Sequence, residues 1–245
     1  MPGGGPAAPG AAPGAGSVDA GRTLSLMGDR FRQEVPRPAL VRRGPPPPWA
    51  GNPALAGPIR LSAVRAALTT SLPPGADAAG AAEAAVLLPL FEEEGETRVL
   101  FIRRAATLGR DPGHVALPGG RIEPGEAPLA AALRESEEEI GLPREQVEPL
   151  AFLPLLERPR SGERVLPIVG ALATRPRLVL NPGEVEAVLE VGLAELAADG
   201  VAWEERWGAA GRPVLFFSSP ALGDDLLWGV TARIAWSLLA LLGAV

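Results

Sequence analysis

The 245-residue chain has no cysteine, which excludes a disulfide framework, a thiolate zinc site and a cysteine nucleophile. Its one histidine, His114, rules out any site built on two imidazole ligands. Lysine is also missing, so arginine supplies all 23 basic side chains. Beside abundant Ala, Gly and Pro, that substitution reads as coding bias of the source genome rather than as chemistry. Catalysis is left to carboxylates, arginines, hydroxyls and backbone, a donor set that favours hard cations with oxygen ligands.

Basic character is scarce as well. The formal charge of −6 argues against a general nucleic-acid binder, which needs a cationic surface for phosphates. A small phosphorylated substrate is not excluded, because a few arginines and a metal ion can neutralise it locally. Long apolar runs are absent too. The C-terminal stretch Val230–Val245 falls short of the ~20 residues that span a bilayer and carries Arg233. The N-terminus lacks a basic region followed by an apolar core. A soluble, cytoplasmic protein without a membrane partner is therefore expected. The assembly is left open, a homodimer being one form of it.

What is present begins with Gly, Ala and Pro. Residues 1–57, with the run Pro45-Pro46-Pro47-Pro48, lack spaced apolar positions and read as a disordered tail, and Met27 is a second candidate start. Residues 58–245 form the expected domain. Ile59, Leu61, Val64 and Leu68 have helical spacing. Ala84–Leu90 and Val99–Ile102 read as the strands of a hairpin around a solvated acidic turn, Glu92–Glu96. A Gly/Pro-rich loop spans 109–125. A helix follows over Pro128–Ile140, with proline in its first turn and Gly141 as its stop. Further strands are expected at 150–153, 165–172 and 214–217, and helices at 193–197 and from Gly229, while 185–189 fits either element. This order implies a mixed sheet sandwiched between helices.

The informative stretch is GGRIEPGEAPLAAALRESEEEIGL, from Gly119 to Leu142. On a helix Glu135, Glu138 and Glu139 share one face, with Leu129, Leu133 and Ile140 on a roughly opposite stripe. Each like-charge pair costs the helix on the order of 0.2–0.5 kcal/mol, and Arg134 is the one cation inside the helix. A divalent cation is the economical way to offset that repulsion. An acidic row alone is more often a solvated face, and the rest of the stretch reverses that reading.

Gly120, Glu126, Arg134, Glu135, Glu138, Glu139 and Gly141 stand at the spacings of the Nudix box, and the segment resembles that family's signature. At typical residue usage the match would arise by chance at about 10⁻⁶ per chain. The resemblance implies an α/β fold, a Nudix-type α/β/α sandwich with a mixed β-sheet, that hydrolyses a diphosphate bond with Mg2+ or Mn2+. It implies Glu135, Glu138, Glu139 and the Gly119 carbonyl as metal ligands, and Glu138, Glu139 and Glu184 as catalytic groups. Arg134 and Glu126 are expected to pair and hold the loop on the helix, and Gly120 and Gly141 to be backbone positions.

Around the box, Val99–Ala105, Leu108, Gly113 and Leu117-Pro118-Gly119-Gly120 resemble the signature of coenzyme A diphosphatases, with Arg104, Ala105 and Gly113 in register. Val165–Gly170, Glu184-Val185 and Trp228–Ala232 resemble the same subfamily. Gly109, Asp111 and Leu117 depart from it, standing where an arginine, a histidine and a phenylalanine are usual. The resemblance implies coenzyme A or an acyl-CoA as a small-molecule substrate, cleaved to phosphopantetheine and adenosine 3′,5′-bisphosphate, with Arg104 on a phosphate. Two alternatives stay open: hydrolysis of ADP-ribose, NADH or a dinucleoside polyphosphate, and a ligand sensor of the same fold without turnover. His114 reads as an ordinary polar contact, and Trp228 and Trp236 as core anchors.

Overall fold

The computed structural model describes residues 31–71 and 81–244. In chain order its strands are β1 (Val41–Arg43), β2 (Ala84–Glu93), β3 (Glu96–Arg104), β4 (Val115–Ala116), β5 (Gly119–Arg121), β6 (Val147–Phe152), β7 (Leu156–Glu157), β8 (Arg164–Leu172), β9 (Val185–Gly192), β10 (Ala202–Trp207), β11 (Arg212–Phe217) and β12 (Leu227–Trp228). The helices are α1 (Leu61–Ser71), α2 (Pro128–Ile140), α3 (Leu193–Ala197) and α4 (Gly229–Leu242).

β2 is the spine of the larger sheet. It runs parallel to β8 and antiparallel to β3 and β5, which makes the sheet mixed. Its apolar run is continuous because both faces are covered. Strand alternation then divides the side chains. Ala84, Val86, Leu88 and Leu90 enter a core shared with α1 and α4. Ala85, Leu87 and Phe91 enter a second core with Ala131, Ala132 and Ile140 of α2. The result is an α/β/α sandwich with α2 against one face of β2. No helix among the described residues is long and apolar enough to cross a membrane.

Most elements match the sequence reading, α2 and α3 to the residue. The ambiguous segment at 185–189 is a strand, because β9 pairs antiparallel with β3 along its length. The acidic turn does more than meet solvent. Glu94 and Gly95 take positive φ at the hairpin tip, while the carboxylates beside them anchor neighbouring backbone. Glu92 accepts from the Leu61 N–H, and Glu96 from the N–H groups of Ile59 and Ala194.

Of a smaller antiparallel sheet, in the order β1-β10-β11-β12, only β11 answers to a strand expected from the sequence, at 214–217. Its first strand lies inside the segment expected to be a tail. Within the described part of that segment, Val41–Arg43 pair with Glu205–Trp207. Trp49 is buried, packs edge-on to Trp236 at 4.8 Å and donates to the Ala197 carbonyl at 3.2 Å. The expected boundary at Gly57 is thus corrected for residues 31–57, and residues 1–30 lie outside the described residues. Apolar residues are sparse there, but one indole buries as much area as a short periodic stretch, and prolines restrict the path between its short elements.

Trp49→Ala is expected to destabilise the protein by about 3–5 kcal/mol, the usual cost of truncating a buried indole. Urea unfolding followed by tryptophan fluorescence measures it. A loss below about 0.5 kcal/mol, typical of an exposed position, would show that this segment does not contribute to the core.

Candidate active site

The site grows from the close approach of two glycines to β2 and α2. Gly119 pairs with Val86 in β5 at a φ of 144°, and a Cβ there would lie 2.4 Å from the Ala85 carbonyl oxygen. A Cβ on Gly120 would lie 2.3 Å from the Glu135 carboxyl carbon. Glycine is therefore required at Gly119, where a side chain would meet the β2 backbone at a left-handed φ, whereas a side chain at Gly120 would push aside the tip of Glu135.

α2 begins at Pro128 and ends at Gly141, whose left-handed conformation lets its N–H reach the Glu137 carbonyl. Glu139 on its last turn is 3 % exposed. Its Oε2 accepts the Gly119 N–H at 2.9 Å, and its Oε1 lies 3.8 Å from Arg104 Nη1. Burial pushes its pKa up from the ordinary carboxylate range to about 7; the Gly119 hydrogen bond and Arg104 oppose the shift, and the charges of Glu135 and Glu184 add to it.

Glu184 reaches this cluster through backbone. The Glu139 carbonyl accepts from Asn181 N, and the Asn181 carbonyl accepts from Glu184 N and Val185 N. The Glu184 carbonyl then accepts from Ala105 N at 2.8 Å, beside Arg104. Arg104, Glu184 and the α2 pair Glu135 and Glu139 are in this way brought within electrostatic reach of one another.

Arg134 organises the other side of the helix. Its guanidinium grips Glu126 with Nε at 3.0 Å and Nη2 at 3.1 Å, and Nη2 also donates to the Arg121 carbonyl. Nη1 contacts Glu135 at 2.9 Å and Glu138 at 3.3 Å. The fork thus clamps the 121–126 loop to α2. Its hydrogen bonds, first of all, hold the Glu126 carboxyl below its ordinary pKa.

The expected metal ligands are not equivalent. Glu138 is exposed, Glu135 and Glu138 share Arg134, and Glu139 points at Gly119. Among the described residues no three carboxyl or imidazole side chains stand together as a finished metal cluster. The donor chemistry nevertheless fits a hard cation. A buried carboxyl feels the charges of Glu135 and Glu184, and its nearest guanidinium contact exceeds hydrogen-bond distance. A bound dication would relieve that repulsion with oxygen donors alone.

A groove of about 1970 Å³ runs past Arg104, Gly119 and Gly120. Glu139 lies behind those residues rather than on the groove wall. Trp228, expected as a core anchor, is half-buried on the groove wall beside His114, with ring centroids 5.4 Å apart. Trp236 is the aromatic that packs into the core, against Trp49 and Phe217.

The sequence reading missed a buried polar knot next to this site. Asp225, 0 % exposed, accepts from Arg103 Nε at 2.9 Å and from Gln33 Nε2 at 2.8 Å. Gln33 also donates to the Gly113 carbonyl and accepts from Leu226 N. It missed Glu163 as well, which gathers Arg110, Arg121 and Arg158. Arg103 beside Arg104 was the available hint to the first. Gln33, Asp225 and Glu163 carry no local pattern.

A carboxylate-bearing helix clamped to a glycine loop, over a mixed sheet and beside a large groove, defines an α/β/α sandwich with an acidic site on one face. The NUDIX domain family matches residues 81–210. Nudix hydrolase 22, chloroplastic, of Arabidopsis thaliana is 39% identical over 160 residues, covering 62% of this chain and 52% of that protein. Nudix hydrolase 15, mitochondrial, of the same plant is 36% identical over 159 residues, covering 62% and 55%. The uncharacterised Nudix hydrolase NudL of Photorhabdus laumondii is 38% identical over 159 residues, covering 63% and 82%. The chain belongs to the Nudix family. It spans about half the length of the two plant relatives.

The Glu139 carboxyl makes a pH prediction for the metal-free protein. Its folded pKa is raised, so stability is full below pH ~4.3, the unfolded value, and falls as pH rises towards about 7. Glu139→Gln keeps an acceptor for Gly119 but carries no charge. It is expected to stabilise the metal-free protein at pH 8 by up to about 3 kcal/mol and to leave it nearly unchanged at pH 4. Thermal unfolding in chelator at the two pH values tests this. An equal effect at both would show that Glu139 is not strained by its charge.

Proposed function

We propose that this protein hydrolyses a diphosphate bond in a nucleotide derivative, using Mg2+ or Mn2+ held by Glu135 and Glu139 with help from Glu138 and the Gly119 carbonyl. The observation that carries the reading is the buried Glu139 carboxyl, its pKa raised beside Glu135 and Glu184, behind the glycine wall of a large groove. When bound, the cation supplies charge neutralisation at the phosphate oxygens and makes water more acidic.

The side chains account for the remaining steps. Arg104 presents a guanidinium at the groove and is the group we assign to a substrate phosphate. Glu184, which shares the electrostatic field of Glu139, is the group we assign to take the proton of the attacking water. Glu126 and Arg134 act on the loop rather than on substrate. No covalent enzyme intermediate is required, which suits a chain without cysteine.

For the substrate we propose coenzyme A or an acyl-CoA, giving phosphopantetheine and adenosine 3′,5′-bisphosphate. Support comes from Arg104, Ala105 and Gly113 in the register of that subfamily's signature. The groove also exceeds the ~300–1,000 Å³ of an ordinary ligand pocket, so a long nucleotide derivative is the better fit.

A panel of coenzyme A, acetyl-CoA, NADH, ADP-ribose and dinucleoside polyphosphates, assayed with Mg2+ or Mn2+, tests the proposal. Coenzyme A compounds are expected to turn over best, and Glu139→Gln to lower kcat by about 10²–10³-fold. Preference for another diphosphate would reject the coenzyme A assignment alone. Comparable turnover by Glu139→Gln would reject the site, and metal binding without turnover of any compound would leave a sensor.

A further inference from the structure

The signature loop has Gly109 and Asp111 where the resembled subfamily carries cationic residues, yet cations surround the loop. Half of them come from elsewhere in the fold. The β7–β8 hairpin carries Arg158 and Arg160 to the groove, and Arg110 and Arg121 line it as well. Glu163, on the same hairpin, holds Arg158 Nε at 2.9 Å, Arg110 Nη2 at 3.0 Å and Arg121 Nε at 3.5 Å. Asp111 adds looser contacts, 3.8 Å to Arg158 and 4.0 Å to Arg110. Guanidinium charge therefore exceeds carboxylate charge on this wall, in a chain whose net charge is −6.

A surface network needs no such excess. Exposed ion pairs contribute little, and Arg158 is half-buried, where charge without full pairing is costly. Burial, followed by the nearby charges of Arg110 and Arg104, pulls its pKa below the ordinary arginine value against the pull of Glu163. Arg104 acts electrostatically on both Glu139 and Arg158. It links the two clusters, so a ligand with phosphate at one end has a cationic wall within reach of the other.

We infer that Arg110, Arg158 and Arg160 form a binding site for a phosphomonoester of the substrate, distinct from the diphosphate position beside Glu139. Glu163 is the positioning residue that spreads the guanidiniums, and the phosphate oxygens accept from them as forked, charge-assisted donors. The site selects nucleotides that carry a further phosphate on the ribose over those that do not. The nucleotide identity of the ligand rests on the diphosphatase reading above; the anion site does not.

Calorimetry in chelator at fixed ionic strength separates the two. Adenosine 3′,5′-bisphosphate is expected to bind the unaltered protein about tenfold more tightly than adenosine 5′-monophosphate, and Arg158→Gln with Arg160→Gln is expected to abolish that preference. Equal affinity for the two nucleotides, or a preference that survives in the double variant, would overturn the site whether or not the protein turns over any diphosphate. Arg160→Gln alone, at an exposed side chain, gives the same direction if loss of Arg158 impairs folding, which thermal unfolding reports. In the assay with Mn2+, the ratio of KM for coenzyme A to KM for dephospho-coenzyme A is expected to rise about tenfold in the double variant. An unchanged ratio counts against the site, and absence of turnover on both compounds counts against the diphosphatase reading, leaving calorimetry to decide the anion site.

Discussion

The site depends on steric exclusion at Gly119 and Gly120. Two backbone units without side chains lie between β2 and the acidic face of α2; a Cβ on Gly119 would meet the β2 backbone, and one on Gly120 the tip of Glu135. That approach brings the Gly119 N–H within hydrogen-bond distance of a carboxyl that packing has already removed from water. One backbone donor and a guanidinium at 3.8 Å do not compensate the burial, and the carboxyl remains a reluctant anion.

Arg134 complements that arrangement by keeping charge on the helix in register. It satisfies Glu126 with both arms of its fork and spends the remaining nitrogen on Glu135 and Glu138. Lysine, a point charge on a flexible stem, could not make this set of contacts. The clamp fixes the 121–126 loop, and the loop fixes the strand that carries Gly119. Glu184 arrives from the opposite direction, through the Asn181 turn bonded to the end of α2. The helix terminus therefore positions the acidic cluster twice, once through side chains and once through its unpaired carbonyls.

Which parts were legible in sequence follows from the range of the forces involved. α2 was readable to the residue because Pro128, the apolar stripe and Gly141 are all local signals. The β2–β3 hairpin was readable because two continuous apolar runs and the turn chemistry between them act over a few residues. Glu135 and Glu139 were identifiable by spacing, but their inequality was not, since it comes from Gly119 and Arg104 packing over only one of them. Only β11 of the smaller sheet was legible, because β1 and β10 are short and separated by more than 150 residues. Trp49 was overlooked because its neighbours are Pro and Ala, so nothing periodic announces that it is buried. Asp225 and Glu163 belong to the same class: their partners, not their neighbours, make them matter.

The adjacent arginines of β3 show how the distant elements bear on the chemistry. The pairing of β3 with β9 shifts register between Arg103 and Arg104, and such an irregularity re-aims side chains. Arg103 turns to Asp225 and Arg104 towards Glu139. Asp225 is gripped by Gln33, and Gln33 holds the Gly113 carbonyl, while Arg104 holds the same loop through His114 and Gly113 backbone. The loop before the glycine pair is thus fixed from two sides, by the strand that feeds the site and by a segment from the start of the described chain. A buried carboxylate met by both a guanidinium and an amide is costly to leave half-satisfied. The N-terminal segment is therefore part of what keeps Arg104 at its place beside Glu139, although it contributes no group to the acidic cluster.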